Sequence, residues 1–135
     1  MIIGLGTDLV AVPSLAAQLA DTASHFSAAT FTVGELAYSR STISHDPARH
    51  LAARFAAKEA MLKALDAACA LAGVKPGQVP MLEIEVVVDE RGRPSLKLHG
   101  RASALATELG ADRAWVSLSH DGDYAQAVVA LERLQ

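Results

Sequence analysis

Charged side chains crowd a short stretch near the middle of the chain, from Arg54 to Lys63. At about 100° per residue, Lys58 falls in the middle of the apolar stripe that a helix here would bury. That stripe consists of Leu51, Phe55, Leu62 and Leu65. A cation in such a stripe costs free energy unless an anion meets it or its stem reaches water. The stretch therefore indicates a site for an anion.

Two carboxylates, Asp8 and Glu59, could complete such a site. Asp8 has apolar neighbours in a predicted strand, although a strand-end acid that faces water would give the same pattern. Glu59 precedes Lys63 by four residues, a spacing that is also common in solvated surface pairs. Proteins often hold Mg²⁺ with one or two carboxylates, while waters and substrate phosphates complete the shell. Together with the lysines, these carboxylates suit phosphoryl or pyrophosphate chemistry.

Two other motifs do not support the chemistry that they first suggest. Gly4 and Gly6 begin a dinucleotide-binding pattern, but Leu9 stands where its third glycine would be. Glycines in a strand instead predict close approach by another backbone or by a ligand. Ser119 and His120 are adjacent on a predicted strand, so their side chains point to opposite faces and cannot act as nucleophile and base.

The composition bounds the class of protein. A chain of 135 residues with 51% hydrophobic and 20% charged residues predicts one folded domain. Its net charge of -3 argues against a general nucleic-acid binder. The single cysteine, Cys69, precludes an internal disulfide and suits a reducing compartment. Because the chain has neither a signal-peptide pattern nor an apolar run of about 18 residues, we expect a cytoplasmic protein without a membrane span.

The elements that must position these residues can be read from periodicity and capping signals. Thr32 with Glu35 forms a capping-box pattern, and Asp46-Pro47 is typical of a helix start. The predicted helices are 15–20, a short helix from residue 32, 48–70 and 101–109. The predicted strands are 2–10, 82–88, 95–99, 115–120 and 124–131. We therefore predict one α+β domain spanning residues 1–135, with a long central helix packed on a mainly antiparallel sheet.

Four motifs occur along the chain in this order: Gly4-x-Gly6-x-Asp8, Arg54-Phe55-Ala56-Ala57-Lys58-Glu59-Ala60-x-x-Lys63-Ala64, Gly92-x-Pro94 and Val116-Ser117-x-Ser119-His120. In this order they closely resemble the holo-[acyl-carrier-protein] synthases, which are short 4′-phosphopantetheinyl transferases. The resemblance spans nearly the whole chain. The central helix motif, paired with Asp8, is its most specific part.

The resemblance implies transfer of 4′-phosphopantetheine from coenzyme A to a serine of acyl carrier protein, for fatty-acid biosynthesis. Adenosine 3′,5′-bisphosphate would be the other product. The resemblance also implies a Mg²⁺ ion held by Asp8 and Glu59. In the family the enzyme is a homotrimer with each active site in a cleft between neighbouring subunits.

The resemblance assigns roles to individual residues. The catalytic residues would be Asp8, Glu59 and Lys63. Glu59, directly or through a metal-bound water, would take the proton of the attacking serine, and Lys63 would meet the pyrophosphate. The residues expected to bind the coenzyme are Arg54, Lys58, Lys63, Gly92, Arg93, Pro94, Ser119 and His120.

The sequence departs from the family in two places. Relatives usually have a Gly-rich turn after the position of Ala64, whereas residues 65–70 continue the helix pattern here. Relatives also tend to carry arginines in the first helix, but Arg40 is the first lysine or arginine of this chain. The carrier would then dock by apolar contact, use Arg40 and Arg49, or be a less acidic domain of a larger synthase.

Two other classes of protein remain open. Another Mg²⁺-dependent enzyme acting on nucleotide pyrophosphates would release product from coenzyme A without any carrier protein. A non-catalytic oligomeric binding module would use the central charges only to pair subunits.

Overall fold

A long helix and two antiparallel sheets organise the fold in this computed structural model, which describes residues 1–41 and 46–135. The strands are β1 (Ile2–Ala11), β2 (Ile84–Val88), β3 (Pro94–Leu98), β4 (Arg113–Asp121) and β5 (Tyr124–Glu132). The helices are α1 (Val12–Ala20), α2 (Phe26–Thr30), α3 (Val33–Ser41), α4 (Pro47–Ala72) and α5 (Gly100–Glu108), with a 3₁₀ helix at Met81–Glu83. The predicted α+β class with a long central helix is confirmed.

The strands form two sheets rather than one. In the larger sheet β5 lies between β1 and β4, and both pairings are antiparallel. Strands β2 and β3 form a separate antiparallel pair. The strand predicted from residue 82 begins only at Ile84, because Met81–Glu83 form a 3₁₀ helix directly after Pro80.

Helix α4 packs on the inner face of the larger sheet, and two glycines bring its backbone against β1. A Cβ atom on Gly6 would collide with the carbonyl oxygen of Ala60, and one on Gly4 would collide with that of Ala64. The predicted close approach by another backbone is confirmed. The contact places Asp8, two residues beyond Gly6, beside the preceding turn of α4.

The helix ends follow the predicted capping signals. The Thr32 amide donates to Glu35 Oε1 at 2.9 Å and the Glu35 amide donates to Thr32 Oγ1 at 3.1 Å, so the capping box is confirmed. Asp46 caps α4 by accepting from the Arg49 amide at 3.1 Å. Helix α4 continues to Ala72, where a left-handed glycine ends it, so the helical continuation after Ala64 is also confirmed.

Two helices differ from the prediction. Helix α1 begins at Val12, immediately after β1, and not after Ser14. Helix α2 was not predicted, because five residues are too few to show helical periodicity. Its Phe26 ring makes edge contacts with Phe31 and Phe55, so tertiary packing stabilises it. Among the described residues, no helix is long and apolar enough to cross a membrane.

Candidate active site

Asp8 on β1 and Glu59 on α4 line the same cavity, which has a volume of about 300 Å³. Helix α1 forms another wall through Ser14 and Gln18, and Phe55 contributes from α4. The two carboxylates that are 51 residues apart in sequence therefore share one opening to solvent.

The electrostatics of this cavity reflect the proximity of the two acids. Burial, and then the negative charge of Asp8, raises the pKa of Glu59 above its usual value, while Lys63 acts in the opposite direction. The Lys63 ammonium donates to Asp8 Oδ1 at 3.0 Å and to the Thr7 carbonyl at 2.8 Å. The side chain of Lys63 is 54% exposed, so its ammonium remains accessible to solvent while it contacts Asp8.

The donor set of this cavity fits a Mg²⁺ ion that keeps other ligands. Among residues 1–41 and 46–135, no cluster of three or more histidine, cysteine or acidic side chains could enclose a metal. Asp8 and Glu59 supply two carboxylates, and a cation between them would relieve their mutual repulsion. Magnesium is commonly bound in this way, with waters and phosphates as its remaining ligands.

A second cavity, of about 480 Å³, lies where α3, α4, β4 and the β2–β3 pair meet. It brings together four residues predicted to bind the coenzyme or its phosphates: Arg54, Gly92, Pro94 and His120. The cavity is also lined by Tyr38, Arg49 and His50, which were not predicted to bind the coenzyme; Arg49 was expected only as a contact for the carrier. Arg49 and His50 lie in the basic stretch of residues 49–54, whereas no local signal marks Tyr38.

Arg54 is the most unusual residue of this second cavity. Only 6% of it is exposed, and burial lowers the pKa of its guanidinium. The guanidinium carbon lies 4.9 Å from the centroid of the Tyr38 ring. Within the described parts of the chain, Arg54 forms no ion pair and its buried Nε has no hydrogen-bond partner. A buried cation without a carboxylate is costly, so an anionic ligand would satisfy it.

The structure corrects the expectation that Lys58 faces a phosphate. Lys58 is fully buried, and its ammonium lies 2.6 Å from Glu35 Oε1 and donates to the Met81 carbonyl at 3.1 Å. Glu35 Oε2 also accepts from the Val86 amide, so this carboxylate joins α3, α4 and β2. The anion that the apolar stripe required is thus a protein side chain, and Lys58 lies in neither cavity.

Two other predicted coenzyme ligands also lie outside the cavities. The Arg93 side chain projects to solvent and its Nε donates to Asp89 Oδ2 at 2.7 Å. Ser119 alternates with His120 along β4, so it is exposed on the outer face of the sheet while His120 lines the Arg54 cavity. Neither Arg93 nor Ser119 lines the Arg54 cavity.

Helix α4 separates the two cavities. Arg54 and Glu59 are five residues apart, so their side chains leave the helix about 140° apart. The Asp8 cavity opens on the β1 side and the Arg54 cavity on the β4 side, and the two share no lining residue.

The sequence of residues 4–129 matches the family model of the 4′-phosphopantetheinyl transferase superfamily. The chain belongs to this superfamily. Its membership confirms the resemblance inferred from the four motifs and the predicted reaction class of a phosphopantetheinyl transferase.

Relatives match the transferase over nearly its whole length. A holo-[acyl-carrier-protein] synthase of Nocardia farcinica is 45% identical over 97% of this chain and 88% of its own. One from Geobacter sulfurreducens is 43% identical over 98% and 99%, respectively. Among solved structures, the ACPS–CoA complex of Chronobacterium ammoniagenes superposes with a TM-score of 0.82, at 37% identity and 98% coverage of both chains. These matches support both the fold and coenzyme A as co-substrate.

Proposed function

We propose that the protein is a Mg²⁺-dependent holo-[acyl-carrier-protein] synthase. It transfers 4′-phosphopantetheine from coenzyme A to a serine of an acyl carrier protein, for fatty-acid biosynthesis, and releases adenosine 3′,5′-bisphosphate. The observation that carries this proposal is the pairing of Asp8 and Glu59 in one cavity beside Lys63. This donor set suits the binding of a diphosphate.

In the proposed reaction the serine hydroxyl attacks the β-phosphorus of coenzyme A, and the bond from that phosphorus to the bridging oxygen breaks. Glu59 accepts the serine proton, directly or through a water. In the metal-free protein, burial and the charge of Asp8 raise the pKa of Glu59, so its carboxylate binds a proton more readily than an exposed glutamate does. Lys63 donates a hydrogen bond to Asp8 in the free protein. In the reaction its ammonium stabilises the negative charge that develops on the departing phosphate.

Asp8 and Glu59 would hold the Mg²⁺ ion. When bound, the ion would neutralise negative charge on the diphosphate and make its phosphorus more electrophilic. The carboxylates orient this charge, while Phe55 forms an apolar wall that limits water at the same cavity.

The Arg54 cavity binds the remaining phosphate of coenzyme A. Arg54 supplies the positive charge, His120 contributes its imidazole, and Gly92 and Pro94 supply a wall without long side chains. Arg93 and Ser119 would contact coenzyme only from outside this cavity.

A site that uses both cavities requires two copies of the chain, because α4 stands between them in one copy. The outer face of the larger sheet offers the contact surface. It exposes a group of apolar side chains, and such a group on a protein surface indicates contact with another chain. The apolar side chains of this group are Leu5, Leu9, Trp115, Tyr124 and Val128. We infer a homotrimer in which each active site combines the Asp8 cavity of one subunit with the Arg54 cavity of its neighbour.

The carrier protein would approach across α1, which borders the Asp8 cavity. Helix α1 has no basic residue, and its Ser14 and Gln18 line the opening. The contact is therefore apolar and neutral, which suits a carrier with a less acidic docking face.

Mass spectrometry of carrier proteins tests the function directly. The protein is incubated with coenzyme A, Mg²⁺ and candidate carriers, and each carrier is then weighed. We expect one carrier to gain a single phosphopantetheine group, and we expect chelation of Mg²⁺ to abolish the gain. Release of nucleotide without modification of any carrier would instead identify a pyrophosphate hydrolase. No reaction at all would favour a binding module.

A further inference from the structure

His50 lines the Arg54 cavity, yet the reaction described above gives it no role. It lies one turn before Arg54 on α4, and its Nδ1 is 3.4 Å from Arg54 Nη1. Because a guanidinium only donates, this contact requires a lone pair on Nδ1 and puts the proton of the neutral ring on Nε2. His50 is therefore an uncharged ring beside a buried cation.

The described charged or titratable groups around His50 come from three elements, and Arg49, its neighbour in sequence, lines the same cavity. Arg54 and Asp46 lie on its own helix, His120 approaches from β4, and the Tyr38 ring from α3 is 5.9 Å away. Burial lowers the pKa of His50 most, Arg54 and His120 lower it further, and Asp46 partly offsets them. The ring is thus held neutral by burial and by neighbouring positive charge.

A phosphate monoester bound in the Arg54 cavity would favour the protonated form of His50 over the neutral form. The diphosphate of coenzyme A is assigned to the Asp8 cavity, so the 3′-phosphate is the group left for the Arg54 cavity. Such a monoester carries a charge of about -1.5 to -2 at pH 7. Its charge would outweigh the repulsion from Arg54 and His120 and favour protonation of the nearby imidazole.

We propose that His50 is a further phosphate-binding residue, which takes up a proton when the 3′-phosphate of coenzyme A enters the Arg54 cavity. The inference rests on the proposed function, because that function supplies the coenzyme. It makes His50 a determinant of selectivity for coenzyme A over dephospho-coenzyme A.

The direction of the pH dependence follows from linkage. Binding raises the pKa of His50 from its lowered value in the free protein, so the imidazolium contributes to affinity at low pH. This contribution decreases as the pH rises through the pKa of the complex. Below about pH 6 the phosphate takes up its own second proton and loses charge. The selectivity for the 3′-phosphate is therefore greatest slightly below neutral pH.

Isothermal titration calorimetry without carrier protein tests this proposal. Coenzyme A and dephospho-coenzyme A are titrated, with Mg²⁺ present, into the parent protein, His50→Gln and His25→Gln. His25 is exposed and lines neither cavity, so it is the matched control. For coenzyme A, His50→Gln should lose affinity about tenfold at pH 6.5 and less than about threefold at pH 8.5. Its affinity for dephospho-coenzyme A should stay unchanged.

Proton uptake gives the second readout. Titrations in two buffers of different ionisation enthalpy should reveal uptake by the parent protein and by His25→Gln, and clearly less uptake by His50→Gln. Equal uptake by all three proteins, or an equal loss of affinity for both ligands, would overturn the role of His50. If the variant is unstable, NMR titration of the native His50 ring decides, and an unchanged midpoint on binding coenzyme A refutes the proposal. Failure of the parent protein to bind coenzyme A would refute the proposed function itself.

Discussion

At the scale of single residues, the Asp8 cavity keeps two acids together at a cost that the free protein only partly offsets. Burial and Asp8 both work against ionisation of Glu59, and Lys63 is the one described cation paired with Asp8. A divalent cation would be attracted by both carboxylates and would remove their repulsion, so its binding would be favourable. Function here depends on leaving the acids incompletely neutralised by the protein.

Asp8→Asn should therefore remove most of the transferase activity without unfolding the chain. The amide keeps the size of the side chain but supplies no negative charge to a metal or to Lys63. We expect the rate of carrier modification to decrease about a hundredfold or more, and the Mg²⁺ concentration for half-maximal rate to increase.

Asp66→Asn is the matched control, because Asp66 is an exposed acid on α4 that lies outside the Asp8 cavity. Its rate and its Mg²⁺ dependence should equal those of the parent protein. A fully active Asp8→Asn variant would refute the metal assignment.

The sequence pattern shows that Lys58 lies in an apolar helix face, but it does not show which anion pairs with it. Helical periodicity depends only on positions within one helix, so it could show that Lys58 faces the interior. Glu35, its anion, lies on another helix, and no local pattern joins two residues so far apart. His50 was missed for a related reason, since a single histidine in a helix has no signature until β4 and α3 approach it.

At the scale of secondary structure elements, the contact between β1 and α4 aligns the catalytic acids. The two backbones meet at Gly6 and Ala60, so the separation of Asp8 from Glu59 is set by a rigid contact and not by side-chain packing. A side chain at position 6 would have to push the strand away from the helix.

Gly6→Ala should accordingly impair both stability and activity. We expect the free energy of unfolding to decrease by about 3 kcal/mol, because the new methyl group overlaps a backbone carbonyl. Chemical denaturation measures this loss. Carrier modification, assayed at a temperature where the variant is folded, should also slow because Asp8 is displaced.

The control is Gly34→Ala, since a Cβ there would have its nearest neighbour at 3.4 Å and the backbone is not left-handed. Alanine favours helices over glycine, so this change should alter stability by less than about 1 kcal/mol and leave the rate intact. Equal effects of the two substitutions would contradict the proposed backbone contact.

The elements themselves were largely predictable where their signals are local. The capping box at Thr32 and Glu35 and the start of α4 at Asp46 each depend on neighbouring residues, and both were confirmed. The strand predicted from residue 82 was partly wrong, because alternation of apolar residues cannot distinguish a strand from a 3₁₀ helix at its start.

At the scale of the whole molecule, one chain carries two half-sites that face away from each other across α4. The Asp8 half has the acids, and the Arg54 half has the phosphate-binding cations. In the proposed trimer a substrate that contacts both would bridge two copies, and the exposed apolar face of the larger sheet provides a surface on which copies can associate.

Mixing two inactive variants tests this arrangement. Asp8→Ala and Arg54→Met are each expected to be inactive, but trimers assembled from both should contain some intact sites. With random assembly from equal amounts, about one quarter of the sites combine two unaltered halves, so about one quarter of the parent activity should return.

Mixing Asp8→Ala with Glu59→Gln is the control, because both changes affect the same half and no site can be intact. A mixture of Asp8→Ala and Arg54→Met that remains inactive, although size measurements show mixed trimers, would place each active site within one subunit.

The strand order of the larger sheet also has a consequence for biosynthesis. Strand β5 is the last of the chain but the central one of the sheet, and the Met1 ammonium donates to the Arg133 carbonyl at 2.7 Å. While the ribosome is at work, β1 emerges first and must wait for Tyr124–Glu132 before it can pair. Its exposed leucines are open to chaperones while the elements between β1 and β5 are made. A nascent chain that stalls before β5 cannot join β1 to β4, so quality control should meet an unformed sheet and not a partly active enzyme.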